Sequence, residues 1–472
     1  MSFYQDLKKF KRDIALVFGE NENISYKNLL VESGKFASKV KNRSLIFILI
    51  DNDLESIVAL IGSEISNSVI MLLPPNINHK ALLKLVSLYS PDYIFVNKQV
   101  KLKIDNFESL YTYFSYELLK IKKFFVKKID EELLLLQTTS GSTGSPKNVK
   151  LSYNNIISNT QSIIIDLKIS SNDISITTLP PSYVYGLSII NTHLKVGAKI
   201  ILNKSSVIEK NFWKKLLSNK VNNFGGVPYI YEIILKIGLK DEFFKFLKYS
   251  TIAGGHLDND LKLSLLDFYE KLGISLITMY GAAEATSRMS YLPTEYSRKK
   301  IGSIGKPISN GTFLLENENK KIIKKPNCNG ELIYKGENVC LGYANSSEDL
   351  IKKDINNSVL RTGDIGYFDK DGFFYIVGKK SRYIKIAGNR ISLDEIEKII
   401  YEYGYKNVCN QQSKDTLNIF INEKDIEKKI ISYVSNYTNL HESLFKVIFI
   451  ESFPMTKNNK IDYNNKIFKN EN

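Results

Sequence analysis

The spacing of apolar and polar residues changes character along the chain. Between Leu45 and Val96, short apolar runs such as LIFILI and VIMLL alternate with longer stretches whose apolar residues recur at helical spacing, such as LESIVALIGSEI. A second series of the same kind runs from LLLL, residues 133–136, to ISLITMYG, residues 274–281. Alternation of strands and helices is typical of βαβ units, so we predict an α/β fold with mostly parallel sheets.

Two later segments have a different pattern. From about Ile301, short apolar runs are broken by Gly and Asn, as in GELIYKG and DKDGFFYIVG, which predicts a small β-barrel-like subdomain. Beyond Ser381, the runs DEIEKIIYEYG and TLNIFI predict a small α+β domain, and the polar stretch KKSR marks its boundary. We therefore expect a large N-terminal domain, residues 1–380, and a small mobile C-terminal domain, residues 381–472.

Composition narrows the class of protein. The chain has 472 residues with 43% apolar content, enough for more than one core. Its net charge of +15 comes from lysines spread along the whole chain, without a basic block interleaved with aromatics, so we predict no nucleic-acid partner. Three Cys and four His predict neither a disulfide framework nor a thiolate metal site. No apolar run is long enough to cross a bilayer, and we expect a cytoplasmic protein.

The stretch TTSGSTGSPKNVKLS, residues 138–152, has the composition of a phosphate-binding loop. It lies between the apolar run LLLLQ and a helical pattern that Ser152 can cap, a strand–loop–helix setting in which a flexible linker is out of place. Gly141 and Gly144 allow backbone N–H groups to turn toward one anion, and Lys147 adds positive charge. The hydroxyl donors are Thr139, Ser140, Ser142 and Thr143. Since Lys147 does not directly follow Gly144, the common P-loop is excluded.

This loop is similar to the phosphate loop of the adenylate-forming, or AMP-binding, enzymes, which include acyl- and aryl-CoA synthetases. Further segments resemble the motifs of that family in the same order. They are NISYKNL (23–29), MYGAAE (279–284), RTGDIGYFDKDGFFYIVG (361–378), KKSRYIKIAGNRISLDEIE (379–397) and PMTKNNKID (454–462). The resemblance runs from about residue 23 to the end of the chain, and its collinear order makes it highly specific.

The resemblance implies a ligase with two half-reactions. A carboxylic acid and ATP give acyl-AMP and pyrophosphate, and a thiol of CoA or of a carrier protein's phosphopantetheine then displaces AMP to form an acyl thioester. Lys460, Glu284 and Lys147 are implied as catalytic residues, and Glu284 with Thr139 as ligands of Mg²⁺. The implied nucleotide contacts are Thr139, Ser140, Gly141, Ser142, Thr143, Gly144, Lys147, Gly255, Tyr280, Gly281, Asp364, Lys379, Lys385 and Arg390. In the family, the small domain rotates between the two steps.

The resemblance also locates a pocket for a small carboxylic acid. Its implied residues are Tyr183, Val184, Gly186, Val227, His256 and Ala282. Amino-acid adenylating enzymes usually carry Asp where this chain has Val184, so an uncharged acyl or aryl acid is favoured over an α-amino acid. His256 is equally compatible with a structural role in its loop.

The chain departs from the family pattern at several positions. Ala283 stands where Thr is usual, Lys379 where Arg is usual, and Ser381 where Asp or Lys is usual. Asn148 and Asn459 replace glycines, and Asn tolerates left-handed backbone angles better than most residues. These departures keep a second hypothesis open, in which the protein has weak or no catalysis and acts as a nucleotide-binding or partner protein. Its basic surface makes an acidic carrier protein a candidate partner.

Overall fold

The computed structural model of the chain describes residues 3–100, 107–122, 128–138, 148–255, 257–386, 389–413, 416–438, 440–455, 461–463 and 465–468. The chain divides into two compact units. The first comprises Met1–Ser140, Pro146–Thr312 and Tyr334–Leu360, and the second comprises Gly141–Ser145, Phe313–Ile333 and Arg361–Asn472. The boundary expected after residue 380 falls within the second unit and remains a prediction.

Helices and strands alternate in the first half of the chain. The helices are α1 (Tyr26–Ala37), α2 (Leu54–Ile65), α3 (His79–Tyr89), α4 (Tyr153–Leu167), α5 (Val184–Lys195), α6 (Lys210–Ser218), α7 (Pro228–Ile237), α8 (Asn259–Lys271), α9 (Leu393–Glu402) and α10 (Glu427–Thr438). Within the described ranges, none of the helices combines the length and the apolar character that a bilayer crossing needs.

The strands are bounded as follows. Up to residue 201 they are β1 (Ile14–Val17), β2 (Asn23–Ser25), β3 (Leu45–Leu49), β4 (Val69–Leu73), β5 (Tyr93–Asn97), β6 (Phe107–Tyr113), β7 (Tyr116–Ile121), β8 (Leu133–Thr138), β9 (Asn148–Ser152), β10 (Ile174–Ile176) and β11 (Lys199–Ile201). From there to residue 335 they are β12 (Asn223–Gly226), β13 (Tyr249–Ile252), β14 (Ser275–Tyr280), β15 (Ser290–Leu292), β16 (Ser303–Pro307), β17 (Thr312–Glu316) and β18 (Gly330–Lys335). The rest are β19 (Gly342–Ala344), β20 (Val359–Phe368), β21 (Phe374–Lys379), β22 (Tyr383–Ile386), β23 (Asn389–Ser392), β24 (Asn407–Ser413), β25 (Thr416–Ile421) and β26 (Phe445–Phe449).

Two sheets build the first unit. One has the order β16-β15-β14-β13-β12-β10-β11-β1-β2, and the other is eight-stranded with the order β19-β9-β8-β4-β3-β5-β7-β6. The central pairs of both are parallel, as the sequence pattern predicted. Strands β3 and β4 are buried at every residue, which explains why they appear in the sequence as continuous apolar runs.

Helix α5 lies in the interior of the first unit. Every residue from Val184 to Leu194 is buried. Leu187, Ile190 and Leu194 pack into one apolar cluster, whereas Tyr185 and Ile189 pack into another. A helix that is buried on all sides must carry apolar or fully hydrogen-bonded side chains around its whole circumference.

The second unit is β-rich in its first part and α+β in its last part. Strands β17, β18, β20 and β21 are adjacent in that order, and the pairs β20–β21 and β22–β23 are antiparallel. Beyond them, β24, β25 and β26 form a three-stranded sheet whose apolar face packs with α9 and α10 around a separate core. The β-rich segment and the α+β segment predicted from the sequence are therefore both present.

Candidate active site

The turn after β14 places Glu284. The chain leaves Tyr280, passes through Gly281, and forms a single 3-10 turn at Ala283–Ala285. A Cβ atom on Gly281 would lie 1.8 Å from the carbonyl oxygen of Ser287, because the chain folds back on itself here. Only glycine fits such a close approach of two backbone segments. The glycine of the MYGAAE motif therefore sets the geometry of this turn.

Tyr343 contacts the predicted metal ligand. Its hydroxyl donates a hydrogen bond of 2.9 Å to Oε1 of Glu284, and the backbone N–H of Cys340 donates one of 2.8 Å to the carbonyl oxygen of Glu284. Partial burial and the nearby carboxylate both raise the pKa of Tyr343, so its phenol stays a neutral donor at physiological pH. The side chain and the backbone of Glu284 thus both accept hydrogen bonds from one segment, residues 340–343.

Strand β19 connects Glu284 with the strands around the phosphate loop. In β19, Tyr343 pairs with Val149, and Ala344 pairs with Asn148, in β9. On its other edge, β9 pairs with β8, where Thr138 lies opposite Asn148. Strands β8 and β9 directly precede and follow the predicted phosphate loop, residues 139–147, which lies outside the described residues.

The Tyr343 contact leads to a testable prediction. In Tyr343→Phe, Glu284 loses its only hydroxyl donor among the described residues, and we expect the Mg²⁺ concentration for half-maximal pyrophosphate release to rise about tenfold. Excess Mg²⁺ should restore most of the rate. Tyr401→Phe, a change at an exposed tyrosine on α9, serves as the control. A lower rate with an unchanged Mg²⁺ requirement would contradict this role of Tyr343.

The departures from the family pattern near Glu284 have a structural explanation. The side chain of Ala283 is partly buried and packs against the apolar cluster that contains Leu187 and Cys340, where a methyl group is well accommodated. The neighbouring Thr286 does not replace the hydroxyl missing at Ala283, because it donates its own hydrogen bond to the carbonyl oxygen of Asn338, at 2.7 Å.

The predicted acid-binding residues converge at the start of α5. A Cβ atom on Gly254 would lie 2.5 Å from the hydroxyl oxygen of Tyr183 and 3.3 Å from Cγ1 of Val227, so the three residues are in contact. Val184 is buried in the first turn of α5, and a Cβ atom on Gly186 would clash with the carbonyl oxygen of Pro180. This group of residues, at the predicted acid site, is named here the α5 mouth: Tyr183, Val184, Val227 and Gly254.

Asp364 and Lys379 are paired in the second unit. They lie opposite each other in the β20–β21 ladder, and Nζ of Lys379 donates to Oδ1 of Asp364 at 2.7 Å. The Asp364 side chain is 10% exposed, whereas that of Lys379 is 59% exposed. The backbone N–H of Asp364 donates to the hydroxyl of Thr362. The structure therefore brings together two residues that the sequence predicted separately as nucleotide contacts.

Several predicted site residues cannot be placed. Thr139, Ser140, Gly141, Ser142, Thr143, Gly144, Lys147, His256, Asn459 and Lys460 lie outside the described residues, as do the side chains of Lys385 and Arg390. The backbones of Lys385 and Arg390 pair with each other across β22 and β23. Gly255 and Ala282 are described, and lie next to the α5 mouth residue Gly254 and to the Glu284 turn in the chain.

Two residues beside the loop have roles that the sequence did not reveal. Asn148 does not use a left-handed backbone; it lies extended in β9, and its side-chain amide donates to the hydroxyl of Tyr89 at 2.7 Å. Gln137 is buried in β8 and donates to the carbonyl oxygen of Ser182, one residue before Tyr183. Their partners are distant in sequence, so no local pattern could have indicated these contacts.

A surface cavity of about 330 Å³ lies elsewhere in the first unit. It is lined in part by Phe18, Asp53 and Lys204, and Lys204 forms ion pairs with Asp51 and Asp53. None of the predicted site residues lines this cavity.

Comparison with known proteins decides the family. The family model described as AMP-binding enzyme matches residues 3–344, which include the loop at 139–147 and the Glu284 turn. The chain belongs to the AMP-binding enzyme family. The family predicted from the motifs is thereby confirmed.

The chain is also similar in sequence to individual CoA ligases. The 2-succinylbenzoate–CoA ligase of Bacillus mycoides is 27% identical over 341 residues, which cover 70% of this chain and 69% of that protein. That of Bacillus cereus (strain ATCC 14579) is 28% identical over 275 residues, or 58% of this chain and 55% of that protein. The chain thus aligns with between about half and two thirds of these relatives' lengths. Both names describe CoA ligases, in agreement with the predicted acid–thiol ligase.

Solved structures of AMP-binding enzymes share the fold. The O-succinylbenzoate coenzyme A synthetase of Bacillus subtilis in complex with ATP and magnesium ion has a TM-score of 0.78 at 19% identity, covering 100% of this chain and 98% of that chain. ATP-bound MatB from Rhodopseudomonas palustris has a TM-score of 0.79 at 17% identity, covering 99% and 100%.

Proposed function

We propose that this AMP-binding enzyme activates a small carboxylic acid with ATP, releases pyrophosphate, and transfers the acyl group from acyl-AMP to the thiol of CoA. The observation that carries the proposal is the family match over residues 3–344, which contains both the phosphate loop and the Glu284 turn. Two anions must meet in the first step. The protein therefore contributes chiefly positioning and the neutralisation of charge.

The Glu284 turn fits a magnesium ion. Mg²⁺ in nucleotide sites is held by one or two carboxylates together with substrate phosphates and water, and Glu284 offers one carboxylate on a rigid turn. Thr139 is the second proposed ligand. When bound, the ion supplies positive charge to the phosphate oxygens. Tyr343 keeps the Glu284 carboxylate oriented by donating to one of its two oxygens.

Asp364 fits the ribose of the nucleotide. An ionised carboxylate has two acceptor oxygens and can accept from two adjacent hydroxyls. Lys379 offsets part of the charge of the poorly exposed Asp364 before the nucleotide arrives. The loop at 139–147 holds the departing pyrophosphate. Lys460 places positive charge beside the reacting acid and is exchanged, as the small domain rotates, for the segment around Lys385 and Arg390.

The names of the relatives and the residues of the α5 mouth support a choice of acid to test. The curated relatives are named 2-succinylbenzoate–CoA ligases, so 2-succinylbenzoate is the first acid to be tested, and CoA the first thiol. Val184 offers no charge for an ammonium group, which disfavours α-amino acids. A carrier protein is the second candidate acceptor, because a chain of net charge +15 attracts an acidic partner.

A pyrophosphate-release assay tests the proposed function. Purified protein is mixed with ATP, Mg²⁺, hydroxylamine as a trap, and a panel of carboxylic acids that includes 2-succinylbenzoate, aliphatic acids and α-amino acids. We expect acid-dependent and Mg²⁺-dependent pyrophosphate release with formation of a hydroxamate, and no turnover with the α-amino acids. If no acid in the panel causes pyrophosphate release, although calorimetry shows that the protein binds ATP, the hypothesis of a nucleotide-binding or partner protein is favoured.

A further inference from the structure

Ion pairs lie on both sides of the domain boundary expected after residue 380. Nζ of Lys380 lies 2.7 Å from Oε2 of Glu331, in the β-rich part of the second unit. Two residues later, the guanidinium of Arg382 pairs with Asp394 in α9, in the α+β part. Ser381, between the two basic residues, is exposed. The chain is therefore held by different parts of the unit just before and just after Ser381.

The carboxylate of Asp394 contacts the chain on both sides of Ser381. Its Oδ1 accepts a hydrogen bond from Nε of Arg382, and its Oδ2 accepts one of 2.8 Å from the backbone N–H of Lys379. The close approach requires the glycine at position 378, where a Cβ atom would lie 2.8 Å from Oδ2 of Asp394. Asp394 lies in the first turn of α9, where the helix dipole also favours a negative charge. One carboxylate thus connects the end of β21 with the start of α9.

Toward the predicted nucleotide contacts, the connection continues through Lys379. Its backbone is bonded to Asp394, and its Nζ donates to Oδ1 of Asp364, the predicted ribose contact, at 2.7 Å. A lysine ammonium lies at the end of a flexible four-carbon chain, so its position depends on how firmly the backbone is held. Asp394 therefore influences Asp364 without contacting it.

Toward the C-terminus, the connection continues through Arg382. Its guanidinium carbon lies 4.2 Å from the centre of the Tyr463 ring, within the range of a cation–π interaction. Both side chains also donate to Glu397, Arg382 through Nη2 to Oε1 and Tyr463 through its hydroxyl to Oε2, the latter at 2.9 Å. Although burial alone would lower it, the carboxylates of Glu397 and Asp394 raise the pKa of Arg382, so the guanidinium stays charged.

Tyr463 follows Lys460 by three residues. The residues on both sides of the segment that contains Lys460 are paired: Met455 and Ile461 form an antiparallel bridge, and the N–H of Asp462 donates to the carbonyl oxygen of residue 454 at 2.8 Å. Residues 456–460 themselves lie outside the described residues. A shift of Tyr463 is therefore passed to both ends of this segment. The connected side chains are named here the Asp394 network: Asp364, Lys379, Asp394, Arg382, Glu397 and Tyr463.

We propose that Asp394 is a positioning residue for the adenylation step, because the Asp394 network joins the nucleotide contact Asp364 to the segment that contains Lys460. Nucleotide bound at Asp364 then stabilises the position of that segment. The proposal rests on the proposed function and adds to it a residue that none of the motifs implies. In the proposed function the small domain rotates after adenylation. The hydrogen bond between Lys379 and Asp394 spans the expected boundary, so it opposes this rotation until the first step is complete.

A purely structural role for Asp394 predicts a different outcome. The network also stabilises the fold, since Oε1 of Glu397 accepts a hydrogen bond of 2.6 Å from the backbone N–H of Cys409. Removing one partner of a poorly exposed ion pair can destabilise a domain. If that were the whole role of Asp394, its replacement would lower stability and slow both half-reactions alike. Only a positioning role slows adenylation alone and uncouples the nucleotide from Tyr463.

The experiment compares Asp394→Ala with Asp394→Asn, which keeps an acceptor oxygen for the N–H of Lys379 but loses the charge. Glu402→Gln, at an exposed carboxylate near the other end of α9 that pairs with Lys398, is the matched control. Two rates are measured: pyrophosphate release with 2-succinylbenzoate, and thioester formation from the synthetic acyl-adenylate and CoA. Hydrogen–deuterium exchange of the peptide that contains Tyr463 is measured with and without AMP.

We expect Asp394→Ala to slow pyrophosphate release about tenfold and to leave thioester formation within about twofold of the wild type. Asp394→Asn should lose less, and Glu402→Gln should match the wild type in both rates. AMP should lower the deuterium uptake of the Tyr463 peptide in the wild type and in Glu402→Gln, but not in Asp394→Ala.

An equal loss in both half-reactions, or AMP protection of the Tyr463 peptide that does not depend on Asp394, overturns the inference and leaves the proposed function intact. Absence of AMP protection in the wild type also overturns it. AMP protection that depends on Asp394, in a wild type that turns over no acid, supports the coupling and counts against the proposed function. If Asp394→Ala does not fold, Tyr463→Phe, which keeps the ring over Arg382 and loses only the hydroxyl, replaces it in both measurements.

Discussion

Replacing Lys460 by alanine is expected to reduce acid-dependent pyrophosphate release by at least about 100-fold. In the proposed function, the lysine of the PMTKNNKID segment provides positive charge where the acid carboxylate and the α-phosphate, both negative, approach each other. Thioester formation from a synthetic acyl-adenylate and CoA should be largely unaffected, because in the proposed function that step uses the segment around Lys385 and Arg390. Both rates are measured on the same preparation, with 2-succinylbenzoate as the acid.

The control for this variant is Lys398→Ala, at a 70% exposed lysine of α9. It should leave both rates unchanged, because an exposed i,i+4 ion pair contributes little to stability and Lys398 belongs to none of the predicted motifs. An equal loss of both half-reactions in Lys460→Ala would contradict the exchange of Lys460 for the Lys385–Arg390 segment between the two steps.

Gly281→Ala is expected to have the second large effect. The added methyl would lie 1.8 Å from the carbonyl oxygen of Ser287 and 2.8 Å from Cα of Arg288, and both are backbone atoms that cannot rotate away. The turn must open, which displaces both Glu284 and Arg288. We expect a loss of at least ~2 kcal/mol in the free energy of unfolding and of at least about 100-fold in pyrophosphate release. Urea denaturation and the release assay measure the two effects.

Gly34→Ala is the matched control for this glycine. Gly34 lies within α1, and a Cβ atom there would have no heavy atom within 4 Å. Alanine is the better helix former by roughly 0.5–1 kcal/mol, so this variant should be as stable as the wild type or slightly more stable. If the two alanine variants unfold at the same urea concentration, the close approach at Gly281 does not constrain the turn.

Local signals in the sequence predicted much of the fold. Ser152 was predicted to cap the helix after the predicted phosphate loop, and it does so in a capping box: its hydroxyl accepts from the backbone N–H of Asn155, whose side-chain oxygen accepts from the backbone N–H of Ser152. The first five residues of the continuous apolar run LIFILI form β3, which is buried at every residue. These predictions succeeded because caps and strand patterns depend on residues a few positions apart.

The contacts within the site could not be predicted in this way. Tyr343 reaches Glu284 across 59 residues, and the guanidinium of Arg288 lies over the ring of Tyr185 on α5, far from it in sequence. The side-chain amide of Asn148 finds the hydroxyl of Tyr89 through tertiary packing, so a reading based on backbone preference alone gave the wrong reason for this residue. The motifs predicted residues near the nucleotide, but contacts between residues distant in sequence depend on how the sheets and helices pack.

Strand β19 links the two predicted phosphate-binding parts of the site, the loop before β9 and the Glu284 turn. Adjacent strands lie about 4.7–4.9 Å apart, and this spacing is set by backbone hydrogen bonds. Strand β19 is hydrogen-bonded to β9, which follows the predicted phosphate loop, and it also supplies Tyr343 to Glu284. The distance between the start of β9 and the proposed Mg²⁺ ligand is therefore set by a strand ladder and one phenol. A fixed distance of this kind suits the triphosphate of ATP, whose dimensions do not vary. In the proposed function, recognition of the acid falls to the residues of the α5 mouth.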